Sequence, residues 1–389
     1  MQGRILSVAN LFLLSVLLAS SHRCSSQSLL SPAHDEDTIS LAVAGWHDLK
    51  DHGVSPQGVM IYDWSVGLHN EESDTGFGRY SFDLSVAVDG KKLWHLEGSD
   101  AMIRLRHHLN NFGGDEVGET QLFSNIDANP RTTLYEAWFE QRLAGDKLRL
   151  KAGKIDANTE FATVQTASDF LNSSMGYSPT IVAFPTYPEP KLGFNAFLHP
   201  TRNNSFGFGV FQTATAGTLT VVEPARTWNL GDSEKPGRAS VGFWRLGGNL
   251  TRFDGTNASG TLGFYSVIEQ SLWRPSRGDH NLSGFLQVGL ADGHVSPFAK
   301  HVGGGAVLQG TFRKRPQDSI GVAATWVRLS SDPGATFELP GELVYETYYK
   351  ASFNKHVAFV QDFQYVRHAD GLREDSDCPI FTPRLVFTF

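Results

Sequence analysis

The chain is poor in cysteine, methionine and charge. It holds two cysteines, Cys24 and Cys378, four methionines, and only 19% Asp, Glu, Lys and Arg in 389 residues. If Cys24 leaves with an amino-terminal leader, Cys378 stands alone and no intramolecular disulfide can form. His22 and Arg23 occupy positions where a lipid-attachment motif needs small residues, which argues against lipidation of Cys24. Beyond residue 19 no window offers about 18 consecutive apolar residues, so the mature chain has no transmembrane helix. The net charge of −8 argues against a nucleic-acid partner. Helical periodicity is nearly absent; the exceptions are a short helix over residues 39–50 and another within 163–171.

Catalytic and metal-binding patterns are missing too. There is no Gly-x-Ser-x-Gly elbow, since Ser178 lies between Tyr177 and Pro179. The 14 histidines are scattered, and His107 and His108 point to opposite faces of a strand and so cannot chelate one ion together. Neither His-Glu-x-x-His nor Cys-x-x-Cys occurs. No enzyme activity, cofactor or metal is expected. A barrel hydrolase that assembles Ser, His and Asn in space would leave no local motif, and no residues single themselves out for one.

What is present begins with a leader. Arg4 precedes an apolar run over residues 5–19, followed by small and polar residues, the order of a secretory signal peptide. Cleavage after Ser21 or after Ser26 would leave small residues at the recognised positions; the expected division is 1–26 signal peptide, 27–55 periplasmic segment and 56–389 barrel. The remainder is rich in glycine (39) and aromatics (27 Phe, 10 Tyr, 8 Trp). From about residue 56 it falls into segments with period-2 apolar alternation, separated by Gly, Asp, Asn and Pro clusters, as expected of barrel strands.

Four segments carry the inside-outside assignment. Over residues 79–88, Tyr80, Phe82, Leu84, Val86 and Val88 oppose Arg79, Ser81 and Asp83. Over 102–109, Ile103, Leu105 and Leu109 oppose Arg104, Arg106 and His108. Over 132–143, Tyr135, Ala137 and Phe139 oppose Glu136, Trp138, Glu140 and Arg142, and over 147–152, Leu148, Leu150 and Ala152 oppose Lys147, Arg149 and Lys151. Further strands begin near residues 56, 191, 205, 239, 261, 281, 296, 319, 342, 355 and 383. That gives about fifteen, and the preference of single-chain barrels for even numbers makes sixteen the expectation. Long ionic side chains of both signs crowd one face of consecutive strands. A water-filled lumen accounts for this, because each charge stays hydrated while the apolar face meets lipid.

The chain ends Leu385-x-Phe387-x-Phe389, a terminal aromatic on the apolar face of the last strand. Behind a signal peptide, this resembles the insertion signal of outer-membrane barrels. It implies the barrel-assembly machinery as a partner through Phe389, and outer-membrane lipid as the surroundings.

Three regions share a more specific pattern. The first is Ala152-Gly153-Lys154-Ile155-Asp156 with Asn158, Glu160 and Phe161, then Phe170-Leu171-Asn172-Ser173-Ser174, and Pro179, Pro185, Pro188 and Pro190. The second is Glu342, Tyr345, Glu346 and Tyr349 leading into Gln361-Asp362-Phe363-Gln364-Tyr365-Val366. The third is the strand over 59–68 with its preceding helix. Together they span roughly residues 39–389 and resemble the carbohydrate-selective porin family, OprB type, whose members usually carry Pro where Gln361 stands here. The resemblance implies a sixteen-stranded all-β transmembrane antiparallel barrel in the outer membrane of a two-membraned bacterium. Through it sugars would diffuse down a gradient, with monomer and homo-oligomer both open. It also implies that the segment 156–190, too long for an ordinary connection, folds back and narrows the pore.

The pore-lining candidates from strand parity are Arg79, Asp83, Arg104, Arg106, Glu136, Trp138, Glu140, Arg149 and Lys151. By resemblance, Lys154, Asp156, Glu160 and Asn172 join them at the constriction. Such charges either select what passes or pair across the wall and fix register, contributing roughly 0.2–1 kcal/mol per pair. Two other functions remain open: a barrel of the same fold selective for another small solute or ion, and a secreted soluble glycan-binding β-protein.

Overall fold

A computed structural model describes residues 46–68, 76–110, 119–214, 217–231, 235–275, 280–371 and 377–389. The expected signal peptide and most of the segment before the barrel lie outside the described residues, as does the start of the helix expected over 39–50; a helix is present at Trp46–Asp51.

The sixteen strands close on themselves in chain order, each antiparallel to its neighbours. The first five are β1 (Val54–Gly67), β2 (Phe77–Asp89), β3 (Ser99–Asn110), β4 (Arg131–Leu143) and β5 (Leu148–Ile155). The next four are β6 (Lys191–Thr201), β7 (Asn204–Gln212), β8 (Thr218–Leu230) and β9 (Lys235–Thr251). Then come β10 (Asn257–Trp273), β11 (Asn281–Ala291), β12 (Phe298–Gln309) and β13 (Ser319–Leu329). Last are β14 (Gly341–Ser352), β15 (Val357–Arg367) and β16 (Cys378–Thr388). β1 pairs with β16, Met60 opposite Phe387, so no strand edge is left open. Gly58 and Phe389 exchange backbone hydrogen bonds of 2.7 and 2.9 Å at the seam. Gly58 is required there, since a β-carbon would lie 2.2 Å from the Phe389 ring.

β8 is the strand that patterning does not reveal. Pro224 interrupts it and Val221-Val222 blurs its alternation, yet Pro224 pairs with Phe206 within an intact register. Proline lacks only the N–H, so the cost is one ladder bond.

Alternation sorts the side chains as expected. Outward positions include Ile103, Phe208, Phe243, Leu262 and Val322, all exposed, and they form the lipid-facing band. No helix among the described residues is long and apolar enough to cross a membrane. Among the described residues, the rim carrying both barrel termini has mostly short turns, and the opposite rim carries segment 119–130 and the long segment 156–190. By the general plan of such barrels the first rim is periplasmic and the second extracellular.

Tyr135 departs from the expected parity. Arg104 pairs with Glu136 but Leu105 pairs with Leu134, so the register shifts by one residue at this point. The bulge turns Tyr135 inward beside Glu136, and Tyr135 is 1% exposed instead of facing lipid.

Segment 156–190 folds into the barrel. It contains two short 3-10 turns, Ala157–Thr159 and Gln165–Ala167, and one helical turn, Ser173–Gly176. The helix expected within 163–171 is thus only a 3-10 turn. The loop docks through apolar groups on the inner face of β6–β14. Phe161 stacks on Phe197 at 5.2 Å and meets Phe211 edge-on; Phe170 meets Tyr348 and Phe285 edge-on at 4.9 and 5.9 Å. Gly207 and Gly209 leave room for Phe161, whose ring atoms lie 2.9 and 2.6 Å from where their β-carbons would be. Phe161 is fully buried, and losing such a ring costs about 3–5 kcal/mol.

Candidate functional site

With the loop packed on one side of the lumen, a cavity of ≈ 1420 Å³ remains on the other. Its walls come chiefly from β1–β5, the two inward segments and the periplasmic halves of β14–β16. Inward-facing ion pairs climb this wall. Arg106 makes a two-pronged contact with Asp83 on the adjacent strand. Arg104 pairs with Glu136 at 3.2 Å. Glu140 lies between Arg142 (3.2 Å), Arg149 (2.9 Å) and Lys151 (3.5 Å). Glu160, from the loop, reaches back to Arg149 at 2.6 Å and Lys151 at 2.5 Å, tying the loop to the charged wall. Burial disfavours ionisation of Glu160, but the charges and hydrogen bonds of Lys151 and Arg149 prevail and hold its carboxyl below the ordinary value.

Aromatic rings lie under these cations. The Arg106 guanidinium sits 3.6 Å from the Tyr135 ring centroid and 5.4 Å from that of Tyr187. The Lys151 ammonium sits 3.9 Å from the Trp138 centroid. Tyr135 donates its hydroxyl hydrogen to Asp156, and Thr186 does the same at 2.6 Å. Charged donors beside aromatic faces suit a sugar, whose hydroxyls exchange hydrogen bonds and whose C–H patches lie on rings. Tyr135 and Tyr187 were not identifiable from alternation, because one sits in a bulge and the other in a loop.

Of the thirteen candidates, Asp83, Arg104, Arg106, Glu136, Trp138, Glu140, Arg149, Lys151, Asp156, Glu160 and Asn172 border the cavity. Two do not. Arg79 is 0% exposed, closed off by segment 119–130, with Asp127 at 3.3 Å, Ser65 at 2.9 Å and the Phe123 ring at 4.4 Å. Lys154 points outward. It sits opposite Ala137 and Leu192, the latter 55% exposed, and its ammonium donates to the Leu134 carbonyl at 2.6 Å. The cause is plain alternation: Lys151, Gly153 and Ile155 point in, so Lys154 points out.

The inward segments are held mainly by wall carboxylates that accept backbone N–H groups. Glu223 accepts from Ala162 (2.9 Å), Glu269 from Thr166 (2.6 Å), and Glu346 from Leu171 and Asn172. Glu136 accepts from Asp156 at 3.2 Å. Glu342 accepts from Thr120 and Gln121, both at 2.8 Å. Asn172 also donates its amide to Gln364 at 3.2 Å. Phe170-Leu171-Asn172 and Glu346…Gln364, far apart in sequence, are therefore two halves of one contact. On β5, two residues before the strand ends and the loop begins, Gly153 has φ +140°, and a β-carbon would lie 2.2 Å from the Ala137 carbonyl oxygen.

Comparison with known proteins agrees with this architecture. The profile of the carbohydrate-selective porin, OprB family, matches residues 82–389. The high-pH structure of Pseudomonas putida OprB superposes with a TM-score of 0.80 at 15% identity, covering 88% of this chain and 96% of that one. The low-pH structure of the same protein gives 0.60 at 16% identity, with 89% and 97% coverage. A loop-deletion mutant of Vibrio cholerae OmpT gives 0.54 at 11% identity, with 86% and 99% coverage. At these identities the structures show the sixteen-stranded fold alone. No curated protein matches by sequence. The chain belongs to the OprB family of carbohydrate-selective porins and is a carbohydrate porin of the Gram-negative outer membrane.

Proposed function

We propose that the protein is a passive diffusion pore for mono- and oligosaccharides, with no catalytic step. In this reading sugars move along the wall of β2–β5. The observation that carries it is the run of cations with rings beneath them, Arg106 over Tyr135 and Lys151 over Trp138. Asp83, Arg104, Glu136, Glu140, Arg149 and Glu160 form the polar lining; Asp156 and Asn172 border the passage and hold the loop in place. The pairing of Asp83, Glu136, Glu140 and Glu160 with cations keeps the local field low, which favours neutral solutes over ions. Outer-membrane lipid surrounds the wall. Phe389 serves insertion by the assembly machinery, and residues 1–26 are removed on export.

Liposome swelling with a panel of sugars and amino acids tests this. Faster swelling with mono- and disaccharides than with amino acids of similar size supports it. Equal rates across the panel would favour the same-fold alternative, a pore for another small solute or ion. Deleting Phe389 should reduce the folded barrel recovered from outer membranes; normal assembly of the truncated chain would remove that role.

A further inference from the structure

The outer wall holds a pair of cations with no ion-pair partner among the described residues. Lys300 of β12 and Arg328 of β13 are direct cross-strand neighbours. Both are exposed, while the next residues, His301 and Val327, are buried and point inward. Both therefore lie on the lipid-facing surface, within two residues of the extracellular ends of their strands. Like charges directly opposite each other destabilise a sheet, so the arrangement calls for a counter-ion.

No side chain of the described residues supplies one; neither cation makes an ion pair among them. Asp332 and Asp292 are engaged elsewhere, and Glu338, exposed in the connection between β13 and β14, makes no ion pair among the described residues. Asp332 accepts from the Gly334 N–H and contacts His294 at 3.0 Å; Asp292 accepts from the His294 N–H at 3.0 Å. Glu342, on the neighbouring strand, is turned into the lumen. The surroundings identify the missing partner. Leu290 lies directly opposite Lys300 and is exposed, and Val302 and Trp326 occupy the same outward face two residues further into the barrel. That step is about 6.6 Å along a strand. Trp326 and, on β14, the exposed Tyr345 stand where barrels carry their interfacial aromatic girdle. The two cations thus sit just outside the girdle, at headgroup level.

We infer that Lys300 and Arg328 form an outer-wall site for the phosphate group of a phosphorylated glycolipid of the outer leaflet. Arg328 offers a planar fork for two phosphate oxygens and Lys300 a compact charge beside it. The acyl chains run down over Leu290 and Val302. Free phosphate would find two cations and no enclosure, whereas a lipid adds apolar contact below the headgroup.

The test uses the full barrel folded in detergent, with its thermal unfolding midpoint followed against added bisphosphorylated lipid A, the same lipid with its phosphates removed, or inorganic phosphate. The wild type is expected to be stabilised by the phosphorylated lipid and not by the other two. Lys300→Gln with Arg328→Gln should raise the half-saturating lipid concentration about 30-fold, as expected for two cations at an anionic surface. Lys147→Gln, an exposed lysine at the opposite rim, should leave it unchanged. Should the double variant not fold, Lys300→Arg must retain binding and Arg328→Gln alone must weaken it. Equal saturation of wild type and double variant would overturn the site. So would an equal response to the phosphate-free lipid, saturation by inorganic phosphate alone, or a self-association that the variant loses while lipid binding is kept.

Discussion

The inner faces of β2–β5 and of β6–β13 belong to one closed sheet and follow one alternation, yet they do opposite things. On β2–β5 the inward side carries the charged residues that border the open cavity. On β6–β13 they are largely apolar or small, including Phe197, Phe211, Leu219, Trp244, Tyr265 and Phe285, and the loop covers them. Parity tells which side chains point into a barrel but not which part of the interior stays wet. That depends on where a loop finds an apolar surface to bury. The off-centre passage follows from this asymmetry.

The largest expected disturbance is to the covered side. Phe161→Ala should destabilise the folded barrel by about 3–5 kcal/mol and loosen the loop; heat-modified gel mobility reads the first and single-channel conductance the second. If conductance stays quiet and unchanged, the loop does not depend on its apolar docking. Next comes the outer surface behind the charged side. Phe139→Arg should cost about 2–4 kcal/mol if it lies near mid-membrane, while Ser168→Arg, exposed to the cavity, should stay within about 0.5 kcal/mol. Equal tolerance in unfolding titrations would mean that inside and outside are exchanged.

On the open side the changes should be functional more than structural. Arg106→Ala leaves Asp83 without its cation and should shift reversal potentials toward cation selectivity, with the field altered over a Debye length of about 8–10 Å. Disaccharide swelling should change more than monosaccharide swelling, and an unchanged profile would place the narrow point elsewhere. The smallest effect concerns pH. The carboxyl of Glu160 is held below its ordinary value of 4.5, so its contribution to stability is present above that value and lost as pH falls through the lowered one. Protonation removes a negative charge from the pore, so anion selectivity should rise as pH falls through that lowered value. Glu160→Gln should show the acid-side selectivity already at neutral pH.

Much of this was legible in the sequence, for particular reasons. Strands such as β3 alternate without interruption, so Arg104 and Arg106 were assignable to the lumen. β8 was not legible, because Pro224 and adjacent valines break the pattern. Tyr135 was assigned outward because a bulge leaves no trace in alternation, and Lys154 inward because a motif was given weight over parity. The attachment of the loop could not be read locally: Ala162 and Glu223, or Leu171 and Glu346, meet only once the barrel has closed.

That attachment has a consequence for how the pore can diverge. The wall carboxylates grip the loop by its peptide nitrogens, which every residue but proline supplies. At residues 162, 166 and 171 the hydrogen bonds themselves do not depend on side-chain identity, and proline is the replacement that removes them; Ala162 and Leu171 are constrained separately by their burial. The neighbouring positions that border the passage can drift toward a different cargo while the mooring stays as it is.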